Sequence, residues 1–556
     1  MKWRKSMILP AVAAGLLMMS GCAKKEDVDR EPIVINVYDS VSEYDGLQTG
    51  WYAGILQEEF NIQLNFLDTK EEGSLEQADL YVCDAAKDSP GKLMEQKLLL
   101  DISPYLEEEP VSGTDMADYR ESFETWNEPL GQEGIYIIPS KVSRLSENTP
   151  VEEQVPLYGI YVNWEAYEKA GMPDIKDMDE LLTVMEDMLS EGQQGLVLCN
   201  DSEMDLLDHV SYLMGVQGQE RQGFLVYNNG RETELLGEDS VFEETLLWLR
   251  KAYQRGLLDA DSDKMSYAQM VKAYQQGKVL LSVWPKLDAE GYELAPVEEM
   301  KVISHGCNSF GSVDTYLAIS SDAQETERII EFVSWLYSTE GIMLSGTETD
   351  LKTAGPQGLT WEMENGNPVL TELGYQVFGD KLQEVFSVGE QEAADGTNAV
   401  MVPGEWGGGL WQEGTCKLGF QPVVNVEVSP SGFPYNYTLW DTVEEEYSCA
   451  GDSWKEHMEA VNQIEYLLEH GNLEVIPGYV DIYHQEPQKI VDKRAACREV
   501  IVDYSWKIIT EEEDEACRAL FEQLQQEVES LGYEDVLEYD RQLVEMMKEK
   551  SSGFFW

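Results

Sequence analysis

Short apolar runs alternate with stretches of helical periodicity along the first two thirds of the chain. Ile33–Tyr38 (IVINVY) reads as a buried opening strand that ends in a polar loop, Asp39–Thr49. A helix is predicted over Gly50–Phe60, a second strand over Ile62–Leu67, a third over Asp79–Cys83, and a helix from near Pro90. Periods that switch between 2 and 3.6 at this spacing predict an α/β unit built on a parallel sheet. The pattern resumes with strands at Gly159–Val162, Gly195–Leu198, Val279–Val283 and Thr315–Ser320. Helices are predicted over Trp164–Ala170, Asp177–Leu189, Phe242–Gly256, Tyr267–Gln276 and Glu325–Ser338. Gly341–Tyr437 turns irregular and rich in Gly, Pro and aromatics, and the chain beyond Trp454 is mostly helical, ending in Glu511–Lys550.

The amino terminus follows another rule. A basic start, Met1–Lys5, precedes an apolar run, Ser6–Met19, too short to span a bilayer comfortably. Met19-Ser20-Gly21-Cys22 resembles a bacterial lipobox, with Met where Leu is usual. Residues 1–21 are therefore expected to be a lipoprotein signal peptide, Cys22 the lipidated residue, and 22–32 a polar tether.

Charge narrows the partners. With 106 acidic and 39 basic residues the net charge is −67, or −70 once Lys2, Arg4 and Lys5 leave with the leader. Nucleic acid and anionic membranes both require clustered cations, so neither is an expected partner. Hydrophobic residues at 43% are enough for large cores, so the charge does not signal disorder. The seven cysteines after Cys22 lack any C-x-x-C and read as buried small hydrophobes, with one or two disulfides possible. His209, His305, His457, His470 and His484 form no catalytic or metal spacing, and no G-x-S-x-G or P-loop occurs. No enzyme activity, cofactor or metal is expected. Asp259-Ala260-Asp261-Ser262-Asp263 starts like a calcium loop, but Lys264 stands where Gly is needed and Met270 where Glu is needed.

Several blocks, in order, carry a resemblance. They are Glu95–Pro104, Gly134–Pro139 (GIYIIP), Leu157–Leu182, Leu247–Leu258, Tyr274–Trp284, Leu317–Gly341 and Gly355–Gly366. Together they resemble the extracellular solute-binding proteins of carbohydrate ABC importers, and more narrowly the long lipoprotein branch of Gram-positive bacteria. Residues 385–485 match that pattern only loosely.

The resemblance implies a two-lobed α/β fold of the periplasmic-binding-protein type II class, with discontinuous lobes joined by hinge crossovers and a helical C-terminal region. It assigns 33–157 plus about 300–345 to lobe 1, 158–299 plus about 346–480 to lobe 2, and 481–556 to helices packed on the lobes. A monomer on the extracellular face, held only by its lipid, would capture an oligosaccharide and pass it to an ABC permease. Two alternatives stay open: the same clamp for a cationic or peptide ligand, and a surface-attached glycan-processing enzyme.

Ligands of open parallel sheets sit beyond the carboxyl ends of the strands. That points to Asp39, Glu43, Tyr44 and Asp84, and to Trp284 after its strand. Sugars present apolar faces and hydroxyl edges, which suit aromatic rings beside carboxylates. Trp51 lies about 115° off the stripe Tyr52, Ile55, Leu56 and Phe60. A ligand-facing ring and a ring covering a neighbouring loop both fit that direction. Trp406 and Trp411 flank the glycines of a loop, where a binding role and an anchoring role are equally consistent. Trp164, Trp248 and Trp335 read as core, and Trp361 fits either class.

Overall fold

The structure is a computed structural model that describes residues 31–42, 44–106, 115–228, 231–284, 291–384, 400–443, 450–477 and 486–552. The two largest of its five described sheets, each with its own core, divide it into two lobes.

The first sheet runs in the order Gly46–Leu47, Ile62–Phe66, Ile33–Asp39, Leu80–Asp84, Ser312–Ile319, Ile138–Ser140. Ile33–Asp39 is parallel to both neighbours, pairing Ile33 with Ile62 and Val37 with Leu80. Ser312–Ile319 departs from the expected parallel sheet and runs antiparallel to Leu80–Asp84, because it arrives from the second lobe rather than through a local crossover helix. Helix Gly50–Phe60 covers this sheet, burying Tyr52, Leu56 and Phe60 on one stripe. It ends at Asn61, whose left-handed φ of 52° lets its N–H close the last turn.

The second sheet runs Tyr292–Leu294, Tyr161–Asn163, Val279–Ser282, Gln194–Leu196. The helices Met178–Met188, Leu206–Gly215 and Phe242–Gln254 contribute buried side chains to its core. Asp177 and Asp205 cap the first two by accepting backbone N–H bonds, as Asp does well at that position. The C-terminal helices Gln488–Thr510, Asp514–Leu531 and Tyr533–Ser552 join this core alone, through Cys497, Ile501, Leu524, Val528 and Val536 among others.

The cores also divide the stretch 346–480 that the family pattern assigned to lobe 2. Leu351–Val443 contributes to the core of the first sheet, and Ala450–Ile476 to that of the second. The irregular-looking stretch contains a hairpin, Trp361–Glu364 with Asn367–Leu370, whose Trp361 indole donates to the Gly355 carbonyl at 2.8 Å.

Between the sheets the chain crosses after Val142 and again between Val302 and Ser312, and Val443 belongs to the first core while Ala450 belongs to the second. These two crossings are joined by an antiparallel bridge between Pro150 and Gly306, where Val151 N–H donates to His305 O and Cys307 N–H to Thr149 O. Buried Glu427 secures the first-lobe end, accepting from Ser143 Oγ at 2.7 Å and Arg144 N at 3.0 Å. The six described cysteines after the tether are free and buried; Cys449, like Cys22, lies outside the described residues.

Candidate functional site

The strands Ile33–Asp39 and Leu80–Asp84 are parallel, so their carboxyl ends emerge on one edge of the first lobe. Asp39 ends the first of them, 2% exposed. One carboxylate oxygen accepts from Val41 N at 3.0 Å and Ser42 N at 2.8 Å; the other accepts from Gly419 N at 2.7 Å. Burial pushes the Asp39 carboxyl up to about 6, against the pull of those N–H bonds. This is a correction to the expectation of a free hydroxyl acceptor. Asp39 instead ties the loop after the first strand to the segment 416–421.

That tie builds one wall of a cavity of about 410 Å3. Val41, Ser42, Lys417 and Gly419 line it on one side, Ser140, Lys141 and Thr315 on another, and Glu348–Asp350 on a third. Lys141 holds a left-handed φ of 54°, a conformation that strains a side-chain-bearing residue and aims it off the strand direction. Its ammonium sits 3.6 Å from Asp350. Two larger cavities, about 630 Å3 each, lie elsewhere on the second lobe. In one, Asp179 already pairs with Lys251 at 2.7 Å; the other lies at Gln193 and Gln194, where a strand begins rather than ends.

The other expected residues of this lobe are placed as follows. Asp84 is part-exposed at its strand end, but it accepts from Ala86 N and lies 3.6 Å from Lys87 Nζ, so it shapes its own turn. Tyr44 packs edge-on to Phe66 and donates to Leu47 O at 2.8 Å. Glu43 lies outside the described residues. Trp51 and Trp411 are brought together in the core, 1% and 2% exposed, and this overturns their reading as ligand platforms. Trp406 is half-buried against the same core.

The second lobe presents rings. Trp284 is half-buried just beyond Val279–Ser282 and packs on Tyr212 with centroids 3.8 Å apart. Its indole N–H points at His209 Nδ1, 3.3 Å away. Burial pushes the His209 imidazole down to about 4, so it stays neutral with one accepting nitrogen, which the Trp284 N–H at Nδ1 and the Cys199 N–H at Nε2, 3.1 Å away, both approach. Nearby, Glu220 Oε1 takes the Tyr158 hydroxyl at 2.9 Å and His305 Nε2 at 2.5 Å. His305 therefore pairs with Glu220, not with Cys307 or Asp314 beside it in sequence.

Two sheets with polar and aromatic groups at their strand ends, joined by paired crossovers, are the frame on which residues 61–343 match the family model described as bacterial extracellular solute-binding protein. That match spans half of the chain. The chain belongs to this family. Among solved structures, this solute-binding protein is similar to FusA of S. pneumoniae, an ABC-transporter substrate binding protein in complex with fructo-nystose. The two are 12% identical over 94% of this chain and 100% of that one, with a TM-score of 0.49. An HMO-binding solute-binding protein from Bifidobacterium longum infantis is 15% identical over 92% and 98%, TM-score 0.46. NgtS, the N-glycan transport protein of S. pneumoniae in complex with Man1GlcNAc, is 13% identical over 93% and 100%, TM-score 0.36. No curated protein matches the sequence.

In this solute-binding protein, Asp259–Asp263 forms a turn in which Lys264 Nζ lies 3.2 Å from Asp263 and 3.8 Å from Asp261. Among the described residues no cluster of three His, Cys, Asp or Glu could hold a metal, and no helix is long and apolar enough to cross a membrane. Lys141, Thr315, Gln421, Tyr212, His209 and Glu220 were not foreseen. Only Thr315 carried a signal, as the first residue of a predicted strand, and the structure pairs it with the strand end Asp84.

Proposed function

We propose that this protein captures an oligosaccharide between its two lobes and delivers it to the permease of an ABC importer. It does so as a monomer on the outer face of the membrane, held there by lipid on Cys22. Lobe 1 comprises 33–142 with 312–443, and lobe 2 comprises 158–302 with 450–552. The observation that carries the reading is the placement of unlike, complementary groups at the carboxyl edges of two separate sheets. The first lobe offers hydroxyl, amide and charged groups around a cavity of about 410 Å3. The second offers the half-buried rings of Trp284 and Tyr212. A sugar needs both, stacking for its C–H faces and directed hydrogen bonds for its hydroxyls. Lobes joined by paired crossover segments can close about them as a hinge. The lipobox-like Met19-Ser20-Gly21-Cys22 after an apolar run supports the anchor.

Calorimetric titration tests the reading. Kestose, human-milk tetrasaccharides and N-glycan fragments are titrated into the mature protein beside spermidine, with the radius of gyration followed by scattering. Heat from at least one neutral glycan, with a contracted envelope, is expected. Heat from spermidine alone, or release of reducing ends from a bound glycan, would overturn it.

A further inference from the structure

The helix Leu206–Gly215 carries both supports of Trp284: Tyr212, whose ring packs on the indole, and His209, which faces the indole N–H. Three residues apart on a helix, the two share a face. The start of this helix is held in an unusual way. Asp205 accepts from Leu207 N and Asp208 N, and Asp208 answers by accepting from Asp205 N, so two carboxylates crowd one helix end. Arg498, far along the chain on Gln488–Thr510, reaches both. Its Nε donates to Asp205 Oδ2 at 2.7 Å, and its Nη2 to Asp205 Oδ1 at 2.8 Å and Asp208 Oδ1 at 2.7 Å. Arg221 comes only to 3.7 Å of Asp208 and is engaged with Ser211 Oγ and Gly223 O.

A planar guanidinium that bonds one carboxylate through two nitrogens fixes direction as well as charge. We propose that Arg498 is a positioning residue for the ring pair Tyr212–Trp284, so that the C-terminal helices, which lie beyond the region matched by the family model, act as a brace for the ligand-facing wall of lobe 2. The proposal rests on the reading of that wall as a glycan platform only for its effect on affinity; the brace itself stands on the contacts. Without Arg498 the paired carboxylates repel, the first turn of Leu206–Gly215 loosens, and the shared face of His209 and Tyr212 rotates under Trp284.

The test uses full-length mature protein labelled with 5-fluorotryptophan, the Trp284 resonance being assigned by Trp284→Phe. Arg498→Gln is expected to shift and broaden that resonance, and Arg498→Lys to restore it in part. Lys507→Gln, an exposed change on the same helix, should leave it in place. Whichever neutral glycan gives heat in the titration above should bind about fivefold more weakly to Arg498→Gln, the lower end of ordinary site-to-site coupling. Arg498→Met, which keeps the length of the stem and removes the same three hydrogen bonds, provides a second route if Arg498→Gln does not fold. An unmoved Trp284 resonance in whichever of the two variants folds overturns the brace. If no glycan binds at all, the proposed function fails while the fluorine spectra still decide the brace.

Discussion

The indole of Trp51 lies almost flat on that of Trp411, 360 residues later in the chain, with ring centroids 4.9 Å apart and planes at 21°. The Trp51 N–H donates to the Trp411 carbonyl at 3.3 Å. This contact closes the first-lobe core around the first turn of Gly50–Phe60. Removing a Trp from such a core costs about 3–5 kcal/mol, so Trp51→Ala should lower unfolding free energy by that order in urea titrations. In a double-mutant cycle with Trp411→Ala the two should couple by about 1 kcal/mol, the usual worth of a stacked pair beyond its buried area.

The approach of those rings depends on a missing side chain. A Cβ on Gly50 would fall 2.3 Å from Gly414 Cα, and Gly50 already holds φ at 71°. Gly50→Ala therefore meets backbone rather than a movable side chain. It should cost about 1–3 kcal/mol, the range for overpacking, and lower the midpoint of thermal unfolding measured by far-UV circular dichroism. Gly54→Ala, with open space around its Cβ on the same helix, should be neutral or stabilising.

These contacts mark where sequence reading stops. Periodicity located Gly50–Phe60 and the direction in which Trp51 leaves its stripe, because both are local properties of 3.6-residue geometry. What covers Trp51 is a tertiary matter, set by a partner 360 residues away. Asp39 was likewise legible as a strand end, while its bond to Gly419, 380 residues on, was not. The strand-end rule placed Trp284 at an edge, since it needs only a strand and its direction. His209 and Tyr212 sat on a helix that the pattern had not marked. The division of 346–480 between two cores was hidden for the same reason: an irregular stretch advertises no face until something packs on it.

Asp39 supplies a pH dependence. Its carboxyl is raised from 3.8 to about 6 by burial, so between those values the folded protein holds more protons than the unfolded chain. Folding stability should therefore fall as pH rises through that window. Glu293 of the second lobe, raised to about 7 by burial, adds a second such slope. Asp39→Asn should flatten only the part between about 4 and 6 in unfolding curves taken at successive pH values. The same variant turns an amide N–H toward the N–H of Gly419 or of Val41 and Ser42, and leaving a buried donor unpaired costs about 1–3 kcal/mol.

The His305–Glu220 pair should add a slope of the same sign from a basic group. Hydrogen bonding to Glu220 holds the His305 imidazolium above its ordinary 6.5, with burial opposing and Glu152 adding to the rise. A raised basic group contributes stability that is complete below 6.5 and is lost as pH climbs through its folded value. Glu220→Gln should remove this contribution. The wild-type advantage in melting temperature should thus be largest in acid and shrink toward alkaline pH, and the His305 Cε1 proton should titrate lower in the variant.

Trp284 and Trp51 give the sharpest contrast, because the same residue type meets two environments. Trp51 is sealed in a core and bonded to Trp411, so Trp51→Phe changes stability while leaving no ligand surface altered. Trp284 keeps part of its ring in solvent beside Tyr212, where a sugar face can exclude water from it. Truncating it to Ala removes that stacking area, and a loss of about 1.4 kcal/mol is already a factor of ten in affinity. Trp284→Ala should therefore weaken glycan binding by about tenfold or more in calorimetry with a small change in melting temperature, whereas Trp51→Phe should show the reverse. Equal effects of both on affinity would place the ligand against the first-lobe rings after all.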